Sequence, residues 1–165
     1  MTELDALRKQ LIETLNSGGA HADFDSAVAG FPVERAGEKP GGAPHTAWQL
    51  LEHMRIAQWD ILEFSRNAKH VSPEWPAGYW PPTEAPPGKA AWRQSVRAFR
   101  ADLKAMQKLV ADRARDLLAP IPHGAGQTLL REALLLADHN AYHLGQLVVL
   151  RRLLGTWHQV HDLEG

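Results

Sequence analysis

The chain of 165 residues contains no cysteine. This absence excludes disulfide bonds, thiolate metal sites and a catalytic thiol within the chain itself. No apolar run approaches the roughly 20 residues that a helix needs to cross a bilayer. The N-terminal segment MTELDALRKQLIETLNS also lacks the apolar core of a signal peptide. We therefore expect a soluble, cytoplasmic protein without a membrane partner.

The chain also lacks an excess of either charge, since its formal net charge is -1 at pH 7. This balance gives no electrostatic reason to expect nucleic acid or an anionic membrane as the main partner. Five basic residues do lie along the third predicted helix: Arg93, Arg97, Arg100, Lys104 and Lys108. We interpret them as the solvated flank of a packed helix, so nucleic acid is not an expected partner.

No alternation typical of strands competes with the helical periodicity of the chain. Helices are predicted over residues 4–16, 46–67, 89–118 and 128–154, with a possible short turn of helix over residues 23–29. Thr2 with Asp5 and Thr46 with Gln49 have the spacing of capping pairs at the first two helix starts. Long helices with modest connections predict an all-α protein, an antiparallel four-helix bundle with long crossover loops, and a single domain of residues 1–165.

One connection, residues 71–88, is dense in proline and carries three aromatic residues. Proline excludes regular structure there, and the aromatic residues argue against a flexible linker. We expect an ordered loop that packs over the body of the protein. It either closes one end of the bundle or forms the lip of a pocket, and the packing role is the favoured interpretation.

Histidine is frequent, with nine residues, and His139 and His143 lie four residues apart in the fourth predicted helix. A step of four residues turns an α-helix through about 400° and advances it by roughly 6 Å. Both imidazoles therefore project from nearly one line along the helix, where two neutral rings can share one divalent metal ion. A metal needs at least a third protein ligand, which in a bundle comes from another helix.

The best candidate for that ligand is His53, on the mostly apolar stripe of the second predicted helix. An unpaired imidazole facing the core would be costly, whereas a coordinated one is satisfied. Three ring nitrogens with open positions suit zinc, nickel or another divalent first-row ion. The alternative is that these are core or interface histidines held by hydrogen bonds. Weaker candidates lie before a helix start, in loops or in the C-terminal tail: His21, His45, His70, His123, His158 and His161.

Three other polar residues fall near the same stripes and could support the site. Gln146 and Glu132 lie close to the stripe of the histidine pair, and either could orient an imidazole or hydrogen-bond a metal-bound water. Asp60, seven residues beyond His53, could do the same or become a fourth ligand. No carboxylate is fixed by spacing to face an open metal position, so the catalytic base stays unknown.

The fourth predicted helix resembles the last helix of the DinB-like family, a damage-inducible, four-helix-bundle family of metal-dependent enzymes. The resemblance is carried by a His-x-x-x-His-x-x-Gln pattern at His139, His143 and Gln146, and by His53 within TAWQLLEHMRIAQWDIL. It covers residues 46–155 and implies that the three histidines are the metal ligands. The loop at residues 71–88 departs from the family pattern.

The resemblance implies less about the reaction, because many relatives have no established activity. Similar folds include transferases and isomerases that use a low-molecular-weight thiol, such as bacillithiol, mycothiol or glutathione, on a small electrophilic substrate. A divalent ion lowers the pKa of such a thiol, which a cysteine-free protein must obtain from a cosubstrate. We expect a thiol S-transferase or a hydrolase. The alternative is a non-catalytic metal or small-ligand binding protein of a stress response, as a homodimer through exposed bundle faces.

Overall fold

A computed structural model of the protein describes residues 2–17 and 19–157, and its regular structure is helical. The α-helices in these ranges are α1 (Glu3–Leu15), α2 (Phe24–Val28), α3 (Ala47–Arg66), α4 (Lys89–Ala111) and α5 (Leu129–Leu153). Short 3₁₀ turns occur at Val33–Arg35 and Ala77–Tyr79, and no strand forms among the described residues. The predicted all-α class is confirmed. None of these helices has an apolar stretch long enough to cross a membrane.

Side-chain caps begin three of the long helices where the sequence pattern predicts a start. The Thr2 hydroxyl accepts a hydrogen bond from the backbone N–H of Asp5, and Thr46 accepts one from that of Gln49. In both pairs the second side chain accepts a hydrogen bond from the backbone N–H of the cap residue. Thr128 caps α5 through its hydroxyl in the same position. Each cap satisfies amide groups that have no partner inside the helix.

The third long helix, α4, is shorter than predicted, because it ends at Ala111 rather than near residue 118. Asp112 caps it in an extended conformation, and its carboxylate accepts a hydrogen bond from the backbone N–H of Ala114. Asp116 makes the same kind of bond to the N–H two residues further on. Such side-chain-to-backbone bonds compete with helical hydrogen bonding, so Asp112 ends the helix early and Asp116 stabilises the non-helical segment that follows.

Helix α3 packs on α4 and α5, and α1 packs on the same two helices. Two separate groups of apolar side chains are buried between the helices. The group that we call the α2-side core includes Phe24, Leu51, Met54, Phe99 and Leu147. The group that we call the α1-side core includes Leu11, Leu62, Met106, Val110 and Leu136. Each group draws on α3, α4 and α5, so the same three helices contribute to both.

Polar side chains occupy α3 and α5 where the helices pass from one core to the other. On α5 they lie between Leu136, in the α1-side core, and Leu144, in the α2-side core. We call this set the polar layer, and it consists of His53, Gln58, His139, Asn140 and His143. All but His139 are less than 9% exposed, and His139 is half-buried. Buried polar groups are costly unless they find partners, so each one needs an explanation.

Candidate metal centre

Three imidazoles from two helices meet in the polar layer. The Nε2 atom of His53, on α3, lies 3.1 Å from Nε2 of His143 and 3.1 Å from Nε2 of His139, both on α5. Each ring offers a nitrogen within 4.8 Å of the other two, and among the described residues no other group of three histidines or carboxylates does so. The structure thus brings together the three histidines named from the sequence, in a cluster that could hold a metal ion.

Two of these rings are held from behind by hydrogen-bond acceptors. Nδ1 of His53 lies 2.9 Å from the backbone oxygen of Tyr79, and Nδ1 of His143 lies 2.7 Å from Oε1 of Gln146. A carbonyl oxygen can only accept, so each Nδ1 carries the proton. In the neutral rings of His53 and His143, each Nε2 atom then carries a lone pair, and the two lone pairs face each other across 3.1 Å. Facing lone pairs repel unless a cation lies between them, which is the arrangement of a metal site.

The separation of the nitrogens also suits a first-row divalent ion. Imidazole nitrogens bind zinc at about 2.0–2.1 Å, so two of them on one ion, with bond angles between octahedral and tetrahedral, lie roughly 2.9–3.4 Å apart. The two separations of 3.1 Å fall within this range. The donor type, the tautomers of His53 and His143 and the spacing therefore all fit a metal ion at this position.

Burial favours the neutral form of all three imidazoles. It lowers the pKa of His139 to about 4, and the neighbouring rings of His143 and His53 act in the same direction. Burial also lowers the pKa of His53 and of His143, against the opposite effects of the hydrogen bonds to Tyr79 and Gln146. Because neutral imidazole is the form that binds metals, the rings are in the required protonation state at neutral pH.

The loop of residues 71–88 forms one wall of the cluster. The indole of Trp80 stacks on the imidazole of His53, with ring centroids 3.9 Å apart and planes 4° from parallel. It also stacks on His45, at 4.1 Å and 21°. The preceding residue, Tyr79, supplies the carbonyl that accepts from His53. The loop is packed on the body, and two of its aromatic residues also shape the candidate site.

Asp60 does not join the cluster. Its carboxylate accepts a hydrogen bond from the hydroxyl of Tyr79 at 2.6 Å and lies 2.7 Å from Nε2 of His70. A step of seven residues keeps Asp60 on the same face of α3 as His53 but moves it about 10 Å along the helix axis. The expectation of a fourth ligand at Asp60 is therefore wrong. Its position instead fastens the loop that carries Tyr79.

The two supporting residues expected on α5 have different outcomes. Glu132 is buried and its carboxylate accepts from Arg131 at 2.6 Å, two helical turns before His139, so its expected role at an imidazole is wrong. Gln146, less than one turn beyond His143, accepts from Nδ1 of that ring and orients it. The difference follows from the rise of about 1.5 Å per residue, which separates residues seven apart but not residues three apart.

The weaker histidine candidates within the described residues stay outside the cluster: His21, His45, His70 and His123. His45 shares one contact with the cluster, because its ring packs on the same indole as His53. His123 instead lies 2.6 Å from the backbone oxygen of Phe64. The two tail candidates, His158 and His161, lie outside the residues that the structure describes.

A buried pair of amides in the polar layer was not predicted from the sequence. Nδ2 of Asn140 donates to Oε1 of Gln58 at 3.0 Å, and Nε2 of Gln58 donates to the backbone oxygen of Phe99 at 2.6 Å. The signal that could have found them is their position, because each is an uncharged polar residue within an apolar stripe. Spacing rules for metal ligands do not detect residues of this kind.

An apolar cavity of about 510 Å³ lies beside the cluster. Its lining includes His45, which stacks on Trp80, and Gln146, which accepts from His143. It also includes the exposed ring of Tyr142, which packs edge-on against His143 with centroids 4.9 Å apart. The three clustered imidazoles are not among its lining residues. The cavity therefore adjoins the cluster through their immediate neighbours.

Comparisons with known proteins give one positive finding. The family model of the DinB superfamily matches residues 18–147, which is more than half of the chain and includes His53, His139, His143 and Gln146. No curated protein and no solved structure matches the chain. The length of the family match shows that the chain belongs to the DinB superfamily.

Proposed function

We propose that the protein binds one divalent metal ion through Nε2 of His53, His139 and His143 and acts as a metal-dependent enzyme. One observation carries the proposal: the Nε2 lone pairs of His53 and His143 face each other at 3.1 Å, with both Nδ1 protons held by acceptors behind the rings. Membership of the DinB superfamily supports it. Ligands of this type suit zinc or nickel.

The proposed scaffold is an antiparallel four-helix bundle with long crossover loops, formed by α1, α3, α4 and α5 within a single domain. The contacts of α3 with α5 support opposite directions for these two helices. His53 meets His143 and Gln58 meets Asn140, so residue numbers rise along one helix as they fall along the other. In such a bundle, side chains from facing helices meet in the interior, where the cluster lies.

The proposed reaction is the transfer of a low-molecular-weight thiol to a small electrophilic substrate, with hydrolysis as the second possibility. When bound, the ion would lower the pKa of a coordinating thiol and so favour the nucleophilic thiolate. The chain has no cysteine, so the thiol must come from a cosubstrate. The apolar cavity beside Gln146 offers space for a substrate next to the cluster.

The chain's own residues would prepare the site for this chemistry in two ways. Tyr79 and Gln146 hold a proton on Nδ1 of two histidines, so that Nε2 of each points inward as a lone pair. Trp80 covers one face of His53 by stacking, which keeps water from that side of the ring. Neutral, oriented and partly dehydrated imidazoles bind a cation without first losing protons or rotating.

A second function, non-catalytic binding of a metal or small ligand in a stress response, is favoured by the burial of the cluster. His53 and His143 are only 5% and 7% exposed, and the neighbouring cavity is not lined by the three imidazoles. An ion enclosed by protein has no open position for a substrate, as in structural metal sites. In this role a homodimer through exposed helix faces is the proposed form.

Metal analysis of the purified protein tests the site. We expect one divalent ion per wild-type chain, and its loss from His53→Ala and His143→Ala proteins that keep their helical circular dichroism. Equal metal content in the variants would show that the site is wrong. Screening electrophiles with several cellular thiols then separates the two functions. Turnover that needs the metal and disappears in His139→Ala supports the enzyme, whereas inactivity of fully loaded protein supports the binding role.

A further inference from the structure

His139 differs from the other two histidines in what lies behind its ring. The Nδ1 atoms of His53 and His143 each face an oxygen acceptor, at 2.9 and 2.7 Å. Nδ1 of His139 is buried, and within the described residues it has no hydrogen-bond partner. Since a buried N–H without an acceptor is costly, either the proton moves to Nε2 or an acceptor must be found.

Asn140, the next residue on α5, has the complementary unpaired atom. It is 6% exposed, and its Oδ1 is buried without a partner in the part of the chain that the structure describes. A ring nitrogen and an amide oxygen that both lack partners therefore lie on neighbouring residues of α5.

The orientation of the Asn140 amide follows from a chain of hydrogen bonds that begins at the backbone of α4. The carbonyl of Phe99 can only accept, so Gln58 must present its NH₂ group there, at 2.6 Å. Oε1 of Gln58 then faces Asn140, which must donate through Nδ2, at 3.0 Å. Oδ1 of Asn140 is left as an acceptor that Gln58 does not use. A donor other than Gln58 therefore has to satisfy this oxygen.

On the basis of the metal site proposed above, we propose that Asn140 is a positioning residue, which orients the ring of His139. Oδ1 of Asn140 accepts a hydrogen bond from the Nδ1–H of His139. Nε2 of this ring then keeps its lone pair free to bind the divalent ion. Gln58 holds the amide in the orientation that this role requires. All three histidines then share one tautomer, and the helices α3, α4 and α5 are all involved in setting the third ligand.

The tautomer of His139 is the first test, and it does not depend on activity. Nitrogen-15 NMR of the imidazoles distinguishes a protonated from an unprotonated ring nitrogen, and His139→Gln assigns the signals. In full-length wild-type protein with chelator present, we expect His139 to carry its proton on Nδ1. A predominant Nε2–H tautomer at neutral pH would overturn the proposal. This measurement needs no substitution in the amide pair, so it stands even if variants of the pair fail to fold.

Zinc affinity of a double variant is the second test. In Gln58→Met/Asn140→Leu both amides are replaced by apolar groups of similar size, which leaves no unpaired amide partner behind. We expect roughly tenfold weaker zinc binding, the lower end of the effect of losing an outer-shell contact, and a larger fraction of the Nε2–H tautomer of His139. Zinc binding equal to wild type, with an unchanged tautomer, would overturn the proposal.

A matched control separates positioning from a general loss of structure. Ser65 is also buried on α3 and donates to the backbone oxygen of Ile61, but it lies at the far end of the helix from His53. Ser65→Ala should leave zinc affinity and the tautomer of His139 unchanged. If wild type, Ser65→Ala and the double variant all bind zinc equally well, the positioning role of Asn140 is wrong and the proposed metal site stands. If wild type itself binds no divalent ion, the proposed function fails as well.

Discussion

The two apolar cores and the polar layer use the same helices but follow different rules. In the cores, a side chain is satisfied by volume and apolar contact, so residues of similar size can replace one another at small cost. In the polar layer, each ring nitrogen and amide needs a particular partner, and the loss of one partner leaves another group unsatisfied. Substitutions in the cores should therefore change stability, and substitutions in the layer should change metal affinity.

Removal of a ring nitrogen from the layer should have the largest effect. We expect His143→Ala to weaken zinc binding by at least ~100-fold, beyond the range of about 10–100-fold found for outer-shell losses. Competition with a chromophoric chelator measures this affinity. The control is His21→Ala, which removes an exposed histidine outside the cluster. Equal weakening in both variants would contradict a specific site.

A core substitution should give the opposite pattern. Leu136, fully buried in the α1-side core, should cost about 2–5 kcal/mol of unfolding free energy when changed to alanine. Zinc affinity of the folded protein should fall much less than in His143→Ala, because the substitution removes no ring nitrogen and no hydrogen-bond partner from the polar layer. Urea denaturation with chelator and a zinc titration measure the two quantities.

The control for this core substitution lies on the same helix. Leu134 is 49% exposed, so Leu134→Ala should change the free energy of unfolding by no more than about 0.5 kcal/mol. If Leu136→Ala weakened zinc binding as strongly as a ligand substitution, the cores and the polar layer would be one coupled unit, and the comparison would fail.

The apolar part of the fold could be predicted from the sequence because periodicity reports it directly. The helical class, the caps at Thr2 and Thr46 and the start of α5 at Thr128 all follow from local patterns. The end of α4 could not be predicted in the same way. Its apolar seam continues the helical spacing, and Asp112 ends it through a hydrogen bond that competes with the next helical turn.

The candidate site could be predicted only in its most visible residues. The pair His139/His143 has a helical spacing, and His53 is a polar residue on an apolar stripe, so both leave a trace in the sequence. The acceptor behind His53 is a backbone carbonyl, which every residue has, so the role of Tyr79 leaves no trace. The role of Asn140 depends on a helix that is distant in sequence, which spacing along one helix does not report.

A change in the acceptor behind a ligand should have an intermediate effect. Gln146→Ala removes the oxygen 2.7 Å from Nδ1 of His143, and we expect roughly tenfold weaker zinc binding. Gln146→Glu keeps an acceptor at the same distance along the side chain and should retain affinity. Zinc titrations of the two variants, side by side, measure the difference. Equal affinities for alanine and glutamate would show that this oxygen does not orient the ring.

The stability of the metal-free protein should also depend on pH. The folded pKa of His139 is lowered to about 4 from 6.5, so the unfolded chain binds more protons between these pH values. The free energy of unfolding should therefore fall as the pH falls from 6.5 towards 4, and the contribution should be constant above 6.5. His53 and His143 act in the same direction, since burial also lowers their pKa.

Urea denaturation with chelator present, repeated across this pH range, measures the dependence. His139→Gln, which cannot take up a proton at this position, should lose less stability than wild type on acidification. The same slope in both proteins would mean that the ring of His139 is not held neutral by burial in the polar layer.

The central claim is tested most directly by a crystal structure of protein purified without chelator, with anomalous diffraction data and elemental analysis of the same sample. We predict one divalent ion per chain, with an anomalous peak about 2.0–2.2 Å from Nε2 of His53, His139 and His143. The account would be contradicted if elemental analysis found no divalent ion, or if it found one and the crystal showed no such peak at the three histidines.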